Sequence, residues 1–161
     1  MASRDGGRVA ALSHQLAQAH QELRRQISDI RKSLGRRRLS DDVLLTHCLS
    51  FCAALTSHHQ GEDDGMFSRL LRERPDLAAT VANLVEDHAM ISSILSRVKE
   101  LADRAAGSTD SALEAIGREL DGLAAIMESH FTYEERTISE ALDATSSVPD
   151  WAGMVFRFDV T

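Results

Sequence analysis

Residues 111–142 read SALEAIGRELDGLAAIMESHFTYEERTISEAL, and their spacing decides the fold. Leu113, Ile116, Leu120, Leu123, Met127, Ile138 and Ala141 recur at helical steps, the period of one apolar helix face. The series is continuous only if His130 and Glu134 fill the gap between Met127 and Ile138. Upstream, Leu77, Val81, Leu84, Ile91, Leu95 and Val98 form a second such stripe, with His88 in its gap. Before Pro75, which breaks the pattern, come Leu44, Cys48, Phe51, Leu55, Met66 and Leu70, with His58 and Glu62 in the gaps. The first stripe carries Val9, Leu12, Leu16, Leu23, Ile27, Ile30 and Leu34, and His20 completes it.

The ends of these segments carry helix punctuation. Gly35 and the basic run Arg36 to Arg38 close the first, and Ser40 with Asp41 and Asp42 opens the second. A turn-rich interruption over residues 105–110 precedes the last, with Ser108 or Asp110 as its cap. Four long amphipathic segments with short connections predict an all-α, antiparallel up-down-up-down four-helix bundle over residues 1–145. Residues 146–161 read as a short non-helical tail. Trp151, Val155, Phe156 and Phe158 make it too apolar for a free end. It is expected to pack on the bundle or on a partner, and covering the polar layer is its suggested role.

Composition excludes several classes. The 161 residues match one domain. With 4% aromatics, 2 Pro and 9 Gly, the many tight turns of a sandwich or barrel are not supplied. A net charge of −7 argues against a nucleic-acid footprint. No apolar run reaches the roughly 18–20 residues of a membrane span, and no signal peptide is expected. Cys48 and Cys52 fit neither a CxxC pair nor a disulfide framework, so a reducing, cytoplasmic setting is expected. The oddity is 7 histidines in so short a chain.

Four of them fall on core faces, and they fall at matching heights. At about 1.5 Å per residue, His20 and His58 both stand about 21–22 Å from the connection between the first two segments. By the same measure His88 and His130 stand about 27–28 Å from the connection between the last two. One layer of the core therefore collects four histidines, Glu62 and Glu134. A buried carboxylate without a partner costs several kcal/mol or more, and two facing each other repel. A pair of di- or tripositive metal ions removes both costs. The repeated spacings His58-x-x-x-Glu62 and His130-x-x-x-Glu134 put imidazole and carboxylate one turn apart on one face. Each carboxylate can then link two metals. Imidazole with carboxylate oxygen suits iron or manganese, and also zinc.

The pattern resembles the hemerythrin-like (HHE cation-binding) family. The residues carrying the likeness are His20, His58-His59-Gln60-Gly61-Glu62-Asp63, Glu86-Asp87-His88 and His130-Phe131-Thr132-Tyr133-Glu134-Glu135, over roughly residues 12–142. The resemblance implies a non-haem di-iron centre, oxo- or hydroxo-bridged, with Glu62 and Glu134 linking the metals. It implies dioxygen, peroxide or nitric oxide as reacting partners. Oxygen carriers of this family have two histidines at an HxxxH spacing on the third helix. Here Leu84 and Ser92 stand at those distances from His88. His59, three residues before Glu62, is the candidate for the missing nitrogen ligand. Without a replacement, one iron keeps an extra open position, which favours reaction with a bound oxidant over reversible holding of dioxygen.

The expectation is thus a di-iron oxidoreductase using dioxygen or peroxide, with an organic substrate as an additional partner and manganese as the alternative metal. The rivals are a non-catalytic oxygen or nitric oxide binder, sensor or iron store, and a bundle whose polar seam only fixes helix register. The ligands expected are His20, His58, His59, Glu62, His88, His130 and Glu134; no other side chain is assigned a catalytic role. His14 is expected to be solvated, His47 too far from the layer, and Cys48 a buried inert thiol. Glu86, Asp87, Glu128 and Glu135 are read as solvated faces, some of them orienting imidazoles. Tyr133 is read as a packed surface residue or a hydrogen-bonding neighbour of the layer. Gly61 and Gly65 mark either a helix that frays after residue 60 or a place of close approach.

Overall fold

The computed structural model describes residues 11–36, 41–105, 110–145 and 152–157, and these are almost wholly helical. Helix α1 spans Leu12–Arg36, α2 Asp41–Gly61, α3 Phe67–Glu73, α4 Ala78–Ala105, α5 Asp110–Asp143 and α6 Ala152–Phe156. A π-helical turn, Glu62–Met66, joins α2 to α3, and a 3₁₀ turn, Pro75–Leu77, joins α3 to α4.

Helix α1 shows how the sequence makes these elements. Leu16, Ala19, His20, Leu23, Ile27 and Ile30 line one buried face. The opposite face carries Arg25 between Glu22 and Asp29, both in ion-pair contact with it. Helices α1 and α5 run in opposite directions: Ser13 donates to Asp143, Arg24 to Glu128 and Arg31 to Asp121, one number rising as the other falls. Helices α4 and α5 do the same through Asn83–Tyr133, Asp87–His130 and Arg97–Glu119. Helix α2 packs on both α1 and α4, which closes the bundle.

Two expectations are corrected. The second segment is not one uninterrupted α-helix. It passes through the π turn at Glu62–Met66, and a π turn commonly marks a functional site. The tail is not wholly non-helical, because Ala152–Phe156 form α6, which packs on α2 and α1. A helix this short is held by its packing rather than by propensity, and Val155 is its fully buried residue. Pro75 acts as read: Arg74 before it leaves the helix at φ −134° and ψ 73°, and the chain restarts in a 3₁₀ turn. Val9, Arg37, Arg38, Ser40, Ser108, Trp151 and Phe158 lie outside the described residues.

The buried apolar side chains form two clusters. One gathers Leu23, Ile27, Phe51, Leu55, Ile91, Leu120, Met127 and their neighbours. The other gathers Leu16, Met66, Phe67, Leu84, Ile138, Leu142 and Val155. Between them, along every long helix, fall the histidines and glutamates read as one layer. Among the described residues no helix is long and apolar enough to cross a membrane.

Cys48 and Cys52 are free and buried in the first cluster. Burial pushes their thiols up, to about 11 and about 12. With the thiolate suppressed and access closed, both are expected to resist alkylation at neutral pH and to react fully once the chain is unfolded. Labelling by iodoacetamide in the folded protein within minutes would contradict this.

Candidate metal centre

The layer contains all seven side chains read as ligands, and every one is buried. They form two groups, each with ligand atoms within 4.8 Å of one another. The first is His20, His58, Glu62 and Glu134; the second is His59, Glu62, His88 and His130. Glu62 belongs to both. Its Oε2 stands 3.2 Å from His58 Nε2, and its Oε1 3.1 Å from His88 Nε2. Glu134 Oε1 lies 3.1 Å from His20 Nε2 and 4.0 Å from His130 Nε2, so it leans towards the first group. His88 and His130 turn their Nε2 atoms to within 3.1 Å of each other.

Behind the ligands stands a set of acceptors. His20 Nδ1 donates to Glu135 Oε2 at 2.7 Å, His88 Nδ1 to Asp63 Oδ1 at 2.8 Å and His130 Nδ1 to Asp87 Oδ2 at 3.0 Å. His58 Nδ1 donates to the main-chain oxygen of Val155 at 2.6 Å. A carbonyl or ionised carboxylate can only accept, so the proton sits on Nδ1 in each case and Nε2 is the atom aimed inward. That is the arrangement in which imidazole ligates a metal. Ring packing fixes the planes: Phe131 stacks on His20 with centroids 3.9 Å apart, and His59 stacks on His88 at 3.8 Å.

The donor atoms fit metal ions better than they fit one another. Both oxygens of Glu62, both of Glu134, and Nε2 of His20 and of His59 are buried without hydrogen-bond geometry to any protein group. Such atoms each cost free energy comparable to a lost hydrogen bond, more for a charge. Titration follows the crowding. Burial and the nearby Glu134 hold Glu62 well above the usual carboxylate range. Burial opposes ionisation of Glu134 too, but His20 and the other partners around it outweigh that and hold it low. Burial depresses His58, His130 and, most strongly, His59, where the neighbouring imidazoles add to it. Burial also opposes protonation of His88, yet Asp63 and Glu62 overcome it and raise His88 to about 9. His20 is raised in the same way by Glu134 and Glu135.

His59 enters the second group beside His88 from α2. In the primary sequence Leu84 and Ser92 offer no nitrogen at helical spacing from His88; the structure brings an imidazole there from another helix. His14 and His47 are exposed. Of the flanking acids, Asp87 and Glu135 orient imidazoles, whereas Glu86 is exposed and Glu128 pairs with Arg24. Tyr133 accepts a hydrogen bond from Asn83 at the rim and packs beside Arg136. Sequence reasoning gave no role to Asp63, although it adjoins Glu62, or to the carbonyl of Val155.

A helical bundle with two buried, overlapping sets of imidazole and carboxylate donors is the frame of a cation-binding protein. The chain belongs to the hemerythrin HHE cation-binding domain family, whose model matches residues 11–142. Neither the curated proteins nor the solved structures yielded a match.

Proposed function

We propose that the chain is an antiparallel four-helix bundle holding a non-haem di-iron centre, and that it binds and activates dioxygen or peroxide as an oxidoreductase. The observation that carries this reading is the sharing of Glu62 between two four-residue donor groups. One carboxylate facing two sets of donors, with neither oxygen hydrogen-bonded, suits an anion placed between two cations. Imidazole and carboxylate donors suit iron, with manganese the alternative. Iron bound there supplies redox chemistry towards small oxidants. The chain supplies the rest. Glu62 links the two groups, Glu134 belongs to the first and stands 4.0 Å from His130 of the second, five imidazoles complete them, and the acceptors behind four of the rings hold the inward tautomer. The apolar clusters on either side keep water from the layer. The two free, buried thiols agree with a cytoplasmic location.

The same enclosure favours one second reading. Every ligand is buried, which admits a diatomic or peroxide more readily than an organic molecule, so a non-catalytic oxygen or nitric oxide binder or an iron store is the alternative.

The test is metal content with an ultraviolet–visible spectrum, on protein from iron-replete cells, before and after peroxide. About two irons per chain with charge-transfer bands are expected. Sustained loss of peroxide with the bands cycling supports the oxidoreductase; bound gas released unchanged supports the alternative. No metal after anaerobic reconstitution with iron(II) refutes both. In the reconstituted chain, Asp63→Ala is expected to weaken metal affinity about 10–100-fold by freeing His88, with helix content unchanged. Chelator competition measures it, and wild-type affinity would remove Asp63 from the frame.

A further inference from the structure

Three of the four oriented histidines lean on carboxylates of the long helices or of the π turn: His20 on Glu135, His130 on Asp87, His88 on Asp63. His58 differs. Its acceptor is uncharged, belongs to the main chain and comes from α6, 97 residues away. The last carbonyls of a helix have no donor within it, so the Val155 oxygen, next to the end of α6, is available to an imidazole N–H.

Two further features show that α6 is seated there by design of the sequence. Val155 is fully buried in the cluster of Leu16, Met66 and Ile138, while Gly153 and Met154 just before it are exposed. Gly61 on α2 makes the seat. A Cβ at Gly61 would come within 2.8 Å of Met154 Cβ, 2.9 Å of Val155 Cγ2 and 3.3 Å of Val155 N. These atoms lie on or beside the backbone, so relief requires α6 itself to move. The same turn of chain thus carries His58, the glycine that admits its acceptor, and the shared ligand Glu62. We infer that α6 is a working part of the metal centre: the Val155 carbonyl positions His58 for ligation, and Gly61 is the residue that lets it do so. Val155 and Gly61 are positioning residues, and the inference rests on the metal reading given above.

Gly61→Ala in the full chain tests it, with Gly153→Ala as the control, because nothing lies within 4 Å of a Cβ at Gly153. The first readout is the imidazole Nδ1–H of His58 by ¹⁵N nuclear magnetic resonance in metal-free protein. A slowly exchanging signal is expected in the wild type and in G153A, and its loss in G61A. The second is the anaerobic rate at which iron(II) passes from the loaded chain to ferrozine. G61A is expected to release iron about 10–100-fold faster than the wild type, and G153A at the wild-type rate. If G61A retains either the signal or the wild-type release rate, the inference is overturned. Should G61A not fold, Val155→Ala, which cuts the apolar anchor of α6, takes its place with the same outcomes. A wild-type chain that takes up no iron overturns the metal reading and this inference with it. Iron uptake by the wild type, with G61A behaving identically, overturns this inference alone.

Discussion

Stripped of metal, the Glu62→Leu variant is expected to melt above the wild type; supplied with iron, it is expected to melt below it. In the metal-free chain Glu62 is wholly buried, both its oxygens lack hydrogen bonds, and it faces Glu134. Leucine carries no carboxyl, and so none of the desolvation penalty that burial imposes there. Removing a buried carboxyl that lacks hydrogen bonds relieves about 1–3 kcal/mol, and His88 keeps Asp63 as its partner. At roughly 2–4 °C per kcal/mol for a chain of this size, the rise is a few degrees to about 12 °C. With iron present the order inverts. A ligand binding only the folded state at about a thousand times its dissociation constant adds about 4 kcal/mol, and the variant has lost the donor common to both groups. Paired melts with and without iron(II) decide the matter. A metal-free variant melting below the wild type would show that Glu62 is a satisfied structural residue.

Metal uptake near pH 7 is expected to release protons, and affinity is expected to climb steeply with pH. In the metal-free chain burial works against a proton on His88, but Asp63 and Glu62 raise it to about 9, so at pH 7 it is protonated. Glu62, raised by burial and by Glu134, also holds its proton far above the usual range. A metal ion needs His88 Nε2 bare, so its proton must leave, and any proton that Glu62 retains must leave with it. The sign follows: acid competes with metal, and affinity rises with pH until these groups are deprotonated in the free chain. Each proton released makes the affinity rise about tenfold per pH unit. Calorimetry in buffers of different ionisation enthalpy counts the protons. Uptake without release at pH 7 would contradict the coupling.

The long helices were legible because each buries a stripe, and the site was legible because its residues interrupt those stripes. His20, His58, Glu62, His88, His130 and Glu134 each occupy a place where an apolar residue is due. The π turn was hidden: Glu62, Met66 and Leu70 keep a four-residue step, the spacing of an ordinary helix. Helix α6 was hidden because five residues carry no measurable period. His59 could be named from adjacency to His58, but its stacking on His88 depends on how two helices meet. Asp63 looked like any acid on a solvated face, and a main-chain carbonyl such as that of Val155 has no letter in a sequence.

The acceptors behind the imidazoles also set the electrical character of the site. Glu62 and Glu134 inside, with Asp63, Asp87 and Glu135 outside them, place five carboxyl groups around one layer of the bundle. Arg24 reaches Glu135 at 3.8 Å, and His88, protonated at pH 7, sits against Glu62 and Asp63. Two di- or trivalent ions bring about four to six positive charges, close to what five carboxylates neutralise. The metal-free layer is therefore a sink for cations, held partly in check by its own protons, and the metal-loaded layer approaches electroneutrality.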